Sequence, residues 1–144
     1  MSTRTIRSII EGQELVTAPK NTSVGEAARL MKQHKVGAIL VVEGDKLVGV
    51  FTERDALFRV VAEGRDAAAT ELAAVMTQNP RTVQADSPFE LALKMMYEGG
   101  FRNVPVVEDG RPVGLVSARD ALGPELKEFV CEMLRQEQTT DVLA

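Results

Sequence analysis

Apolar positions along this chain fall into helix-like and strand-like spacings, and the two follow one another in the same order twice. Val24, Ala27, Ala28 and Met31 recur at helical spacing, as do Leu91, Ala92, Met95 and Met96. A short extended piece precedes each, LVTAP in one case and PRTVQ in the other. Each helix opens on a Ser with a Glu three residues later, Ser23 with Glu26 and Ser87 with Glu90, which is the capping-box pattern. Pro88 stands at the first helical position, where a missing N–H does no harm. Val- and Ile-rich runs follow: VGAILVV and KLVGVF flank EGD, and NVPVV and RPVGLV flank EDG. Such runs around Gly/Asp turns predict two β-hairpins. Thr52 and Ser117 then open a second helix in each copy. Both units read β-α-β-β-α.

The copies align residue by residue. Thr17 falls on Thr82, Val41-Val42-Glu43 on Val106-Val107-Glu108, Val48-Gly49 on Val113-Gly114, and Arg54-Asp55-Ala56-Leu57 on Arg119-Asp120-Ala121-Leu122. In the segment between, Ser23, Glu26, Ala28 and Met31 match Ser87, Glu90, Ala92 and Met95 with an offset one smaller. Loops absorb such single-residue changes. Gly64 and Asp66 break the last helix of the first copy, and residues 71–76 predict a short helix before the second. TIRSIIEG predicts a matching short helix at the N-terminus. Leu126, Phe129, Val130, Met133 and Leu134 form one apolar stripe on a C-terminal helix, with TTDVLA frayed beyond it. The expected division is a first motif over 9–66, a second over 73–123 and the C-terminal helix over 124–138.

Composition narrows the function. The net charge is −4 and the pI about 5.1, against the basic face that a phosphate backbone demands, so no nucleic-acid partner is expected. No apolar run is long enough to span a membrane. MSTRTIRSII lacks the apolar segment of a secretory signal, and the single Cys131 makes no internal disulfide, so a cytoplasmic location is expected. One His and one Cys exclude a His/Cys metal cluster within one chain. His34 is expected at a helix end facing the dipole, with a phosphate contact as the alternative. Met31, Met76, Met95, Met96 and Met133 are expected as core filler, and Cys131 as an inert buried or interface thiol.

The repeated phrase GVFTERDAL and GLVSARDAL carries the candidate chemistry. Thr52 with Asp55, and Ser117 with Asp120, stand three apart at a strand-to-helix turn. A capping box alone accounts for that spacing. It does not account for the recurring Gly49/Gly114 upstream or Arg54/Arg119 beside the Asp. A helix N-terminus favours phosphate, an Arg forks onto it, and a carboxylate suits the vicinal diol of a ribose. An upstream Gly lets backbone approach a flat ring, and apolar strand residues supply that ring's pocket. Together these describe a site for an adenosine phosphate.

On these residues the chain resembles a tandem pair of CBS (cystathionine β-synthase) motifs, the Bateman module. The family pattern is Gly, a hydrophobic residue, any residue, Thr or Ser, two more residues, then Asp; GVFTERD and GLVSARD both match it. The resemblance covers about residues 9 to 123. It implies an α/β (α+β) fold of two β-α-β-β-α motifs packed with pseudo-twofold symmetry, sheets face to face, and a C-terminal helix added. It implies two clefts that bind adenosine-containing ligands: AMP, ADP, ATP, NAD or S-adenosylmethionine. By resemblance Asp55 and Asp120 hold the ribose, with Thr52 and Ser117 beside ribose or phosphate. Gly37, Ala38 and Ile39 line one base pocket, and Arg102, Asn103, Val104 and Pro105 the other. Thr17 and Thr82 contact base or ribose, and Arg54, Arg102 and Arg119 are the phosphate candidates. The copies differ, because Arg102 and Asn103 have no polar counterpart at Gly37 and Ala38.

The expected function is therefore regulatory and not enzymatic, with no required cofactor. No Gly-x-Ser-x-Gly elbow, Walker loop or dinucleotide fingerprint is present. Ligand binding would alter packing, and a separate partner protein would read the change. The C-terminal stripe either covers this chain's own core or packs on a second copy, and a homodimer is the expectation. The rival reading is a CBS-pair scaffold with empty clefts.

Overall fold

The computed structural model describes residues 4–123, 129 and 131–137 of the chain. Its elements are α1 (Ile6–Ile10), β1 (Thr17–Pro19), α2 (Val24–His34), the hairpin β2 (Ala38–Glu43) and β3 (Lys46–Thr52), and α3 (Glu53–Asp55), which runs on as a π-helix (Ala56–Val61). Then come α4 (Leu72–Val75), β4 (Thr77–Gln78), α5 (Phe89–Gly99), the hairpin β5 (Asn103–Glu108) and β6 (Arg111–Ser117), and a 3-10 helix (Ala118–Leu122). Phe129 and residues 131–137 are also helical. Leu126, Val130 and TTDVLA lie outside the described residues.

Local chemistry sets the boundaries. The Ser23 hydroxyl accepts the Glu26 N–H at 3.1 Å and starts α2. The expected counterpart at Ser87 is absent: α5 begins one residue later, with Pro88 as N-cap and no side-chain bond to it. Pro88 is thus not the first helical residue, since its extended ψ of 148° places it outside the helix. Both long helices stop on a left-handed residue, Lys35 (φ 57°) and Gly100 (φ 73°).

Strands β1-β2-β3-β4 form one sheet and β5-β6 another. The two hairpins carry a register irregularity at the same repeat position, Val41/Val42 and Val106/Val107. The opening strands differ. β1 runs parallel to β2, and Leu40 N–H donates to Val16 O at 3.1 Å. In the second copy only Val83 bridges to Val106. The reason is Pro105, which occupies the place of Leu40 and has no N–H to give.

The apolar core has two main parts. One collects Ala27, Met31, Ile39, Val41, Phe51 and Leu72; the other Ile6, Phe89, Ala92, Val104, Val106 and Val116. The short helices cross over. α1, which precedes the first copy, packs in the second half, and α4, which precedes the second copy, packs in the first. The backbone bonds are matched pairs: Ile6 N–H to Ser87 O at 3.0 Å against Leu72 N–H to Thr22 O at 2.9 Å, and Phe89 N–H to Arg4 O at 2.9 Å against Val24 N–H to Thr70 O at 2.8 Å. This exchange laces the halves into one pseudo-twofold unit.

The two sheets meet through Ala38, Leu40 and Val50, packed with Leu47 and Leu115. Their hairpin turns are tied together. Lys46 Nζ donates to Asp109 O at 2.6 Å, and Arg111 Nε lies 2.9 Å from Asp45 Oδ2. Gln13 caps the free edge of β6 through both amide atoms, each 2.8 Å from the Leu115 backbone.

Candidate functional site

Each repeated phrase folds as a strand that runs directly into a helix. Glu53 N–H donates to Gly37 O at 3.0 Å and Ala118 N–H to Arg102 O at 2.9 Å. These bonds seat each helix start against the first residues of its own hairpin. Gly37 is thereby brought beside Thr52 and Asp55, and Arg102 with Asn103 beside Ser117 and Asp120.

Strand alternation decides which candidate side chains can reach a cleft between the sheets. Thr17 pairs with Leu40, and Ala38 with Thr52, on the face turned to the other sheet. Ile39 and Val104 point the opposite way. Both are wholly buried in the cores of their own halves, so their side chains face away from the gap between the sheets and only their backbone can border it. Ala38 and Pro105 are covered where the sheets meet. Thr82 is half-buried next to the core residue Val83.

Both capping boxes are made. Thr52 N–H donates to Asp55 Oδ2 at 3.0 Å, and Ser117 N–H to Asp120 Oδ2 at 2.7 Å. Beyond that the two carboxylates part company. Asp55 is 6% exposed. Its Oδ1 lies 3.5 Å from Arg59 Nε and accepts from the Thr77 hydroxyl at 3.4 Å. Asp120 is half-buried, and among the described residues its Oδ1 makes no hydrogen bond.

Each motif Arg reaches toward the other half. Arg54 Nη1 donates to Gly100 O at 3.4 Å, just before Arg102, with its guanidinium 5.9 Å from the Phe58 ring. Arg119 lines a groove of about 520 Å³ in the first half, together with Met31, Lys35, Gly37, Glu53 and Leu57. The clefts are therefore composite.

Gly49 and Gly114 have a different reason from the one expected. A Cβ on Gly49 would lie 2.9 Å from Thr77 O, and one on Gly114 would lie 2.7 Å from Ile10 Cγ2. A side chain at either glycine would meet the exchanged segment, Met76 and Thr77 in one half and Ile10 in the other. Glu53, Arg59 and Thr77 were not among the expected site residues. The sequence signal for Arg59 was its i+4 spacing from Asp55.

Other groups fall outside the site. His34 Nδ1 lies 3.3 Å from Glu14 Oε1 at the end of α2. Arg7 bridges Asp86 and Glu108, and its pKa is raised above the ordinary value, chiefly by the hydrogen bond to Asp86. Met31, Met76 and Met96 are buried, while Met133 is exposed. Cys131 is exposed, not buried. Among the described residues there is no His/Cys/Asp/Glu cluster able to hold a metal, and no helix long and apolar enough to cross a membrane.

Comparison with known proteins agrees with this architecture. The family model for the CBS domain matches twice, over residues 6–62 and 71–123. The CBS domain-containing protein YhcV of Bacillus subtilis is 37% identical over 74% of this chain and 76% of its own length. The Methanopyrus kandleri protein MK0525 is 31% identical over 83% of this chain and 64% of its own. Arabidopsis thaliana CBSCBSPB3 is 37% identical over 83% of this chain, which spans only 21% of that longer protein. Among solved structures, the CBS domain protein PAE2072 of Pyrobaculum aerophilum, complexed with AMP, superposes with a TM-score of 0.74 at 26% identity, covering 81% of this chain and 89% of that one. The CBS domain pair of MJ0100, in complex with 5′-methylthioadenosine and S-adenosyl-L-methionine, does so with a TM-score of 0.74 at 28% identity, covering 82% and 96%. With two family matches spanning most of its length and the crossed pseudo-twofold packing to go with them, this chain belongs to the CBS domain family, as a tandem pair.

Proposed function

We propose that this chain is a regulatory module that binds an adenosine-containing ligand between its two CBS motifs and signals to a partner protein by a change in packing. One observation carries the reading. The Asp120 carboxylate keeps one oxygen uncommitted among the described residues, beside Ser117, with Arg102 and Asn103 at the start of β5 and Arg54 arriving from the other half. A free carboxylate oxygen suits ribose hydroxyls, and the two arginines suit phosphate. The ligands bound in PAE2072 and MJ0100 are all adenosine derivatives, which supports the same class here. AMP, ADP, ATP and NAD are the ligands to try.

The Thr52 and Ser117 hydroxyls each donate to a carboxylate oxygen, at 3.2 and 3.5 Å, that also holds the cap N–H; these pairs are read as caps, and the module as a sensor and not an enzyme. Leu57, Phe58 and Val61 on the π-helix and Phe129, Met133 and Leu134 near the C-terminus are exposed. They are proposed as the face of a homodimer in the cytoplasm. The regulated partner would respond to ligand only if it binds the two states with different affinity.

The test is thermal melting of protein freed of co-purified small molecules. A ligand at 100 times its dissociation constant adds about 2.7 kcal/mol, which is a rise of several degrees for a chain of this size. Mass spectrometry of what denaturation releases identifies the resident ligand. No shift with any of the four would support the scaffold reading instead.

A further inference from the structure

The two clefts are not equivalent. We infer that each chain takes one nucleotide, in the Asp120 cleft, and that Asp55 is an internal clasp fastening residues 75–77 to the first half. The inference rests on the nucleotide reading above and adds which cleft is used and why.

The clasp uses every acceptor Asp55 has. Oδ2 takes Thr52 N–H at 3.0 Å and the Thr52 hydroxyl at 3.2 Å; Oδ1 faces Arg59 Nε at 3.5 Å and takes the Thr77 hydroxyl at 3.4 Å. Arg59 extends the clasp, with Nη1 donating to Val75 O at 3.3 Å and Met76 O at 3.0 Å. The carbonyls at the end of α4 and the first residue of β4 are thus held to one buried carboxylate. A ribose at this position would have to displace Arg59 and Thr77 from a carboxylate that is 6% exposed, and would release the Val75 and Met76 carbonyls that Arg59 holds.

Among the described residues the second half carries no equivalent clasp. Pro124 stands in sequence at the place of Arg59, and Glu11 with Gly12 at the place of Thr77. Charge is exchanged between the clefts as well. The first has Gly37 against Glu53, whose carboxylate lies where a Cβ of residue 37 would be. The second has Arg102 against Ala118. At the repeat positions the first cleft has Gly37 and Glu53, and the second has Arg102 and Ala118, with no carboxylate. Lys32, Lys35 and Arg119 line the same groove as Glu53, so cations there face a carboxylate.

Titration calorimetry of the full chain with AMP, and with ADP, ATP and NAD in turn, decides this. The expected result is one site per chain. Asp120→Asn should weaken it by about tenfold or more. Thr77→Val and Arg59→Met should lower the melting temperature and leave the dissociation constant within about twofold. Asp55→Asn, where it folds, should keep one site per chain. Two sites per chain, or binding lost in Thr77→Val and retained in Asp120→Asn, would overturn the assignment while leaving the nucleotide reading intact. No heat and no thermal shift with any of the four would overturn the nucleotide reading itself, and the assignment with it.

Discussion

A Cβ placed on Gly114 would come within 2.7 Å of Cγ2 of Ile10, a residue more than a hundred positions earlier in the chain. The repeat partner Gly49 meets Met76 and the Thr77 carbonyl in the same way. The glycine of the family pattern is here a packing residue that admits the exchanged short helix. Gly49→Ala should cost about 1–3 kcal/mol. Gly114→Ala should cost less, because Ile10 is only partly buried and presents a side chain, where Gly49 meets backbone. Urea unfolding midpoints measure both; an unchanged midpoint for Gly49→Ala would refute the close packing.

The crossing of the short helices has a second consequence. Ile6 is wholly buried among Val83, Phe89, Val104 and Val116. Ile6→Ala should therefore destabilise by about 2–4 kcal/mol. Amide exchange should speed up first in α5, β5 and β6, and only later in β2 and β3, although Ile6 precedes the first copy in sequence. Uniform loss of protection would mean that the halves do not open separately.

Much of this was legible from periodicity. The β-α-β-β-α order, both hairpins and the short helices at Ile6–Ile10 and Leu72–Val75 follow from apolar spacing and turn residues. Periodicity is a local property, however, and says nothing of which half a short helix joins. The exchange of α1 and α4 is a tertiary choice. The same limit explains Ile39 and Val104: a strand's hydrophobic run does not show which face is core when both faces are buried. Asp55 and Asp120 sit in nearly identical phrases. What separates them is Arg59 and Thr77, one four residues on and the other across a linker. The Arg59 and Pro124 mismatch was visible in the aligned copies; the Thr77 contact was not.

Lys35 closes α2 with a left-handed backbone, φ 57° and ψ 45°. The second copy uses Gly100 for the same turn. An L side chain in that region costs roughly 1–2 kcal/mol, offset by the extra chain entropy that Gly loses on folding. Lys35→Gly should raise stability by about 0.5–1 kcal/mol. A chemical denaturation curve showing a loss instead would mean that the Lys35 stem packs on Leu57 and Met31 across the groove more strongly than its backbone is strained.

Phe58 and Val61 are 55% and 68% exposed on the π-helix. A patch of this kind on a helix, with Leu57 beside it, is costly to leave in water. If it is the homodimer face, Phe58→Glu with Val61→Glu should give a monomer by light scattering, with the melting curve still cooperative. Phe129→Glu with Met133→Glu tests the C-terminal helix separately. A wild-type monomer would exclude both surfaces as dimer contacts.

Asp120 has two roles to separate, cap and ribose acceptor. Its Oδ2 is engaged by Ser117 N–H at 2.7 Å, so Asp120→Ala should cost the fold only about 0.5–1 kcal/mol, the scale of a lost capping contact. As a diol acceptor it would make one or two charge-assisted hydrogen bonds, each worth roughly 1.5–3 kcal/mol, and its loss should weaken AMP binding by at least about tenfold. The wild type should bind 2′-deoxy-AMP poorly, because an acceptor then faces no donor. In Asp120→Ala the same deoxy ligand should lose little more. Calorimetry of both proteins with both ligands closes the cycle, and the coupling energy isolates the contact between carboxylate and hydroxyl. A cap-only Asp120 predicts lower stability, equal affinity for the two ligands and a coupling near zero, and that result would remove the ribose from this carboxylate.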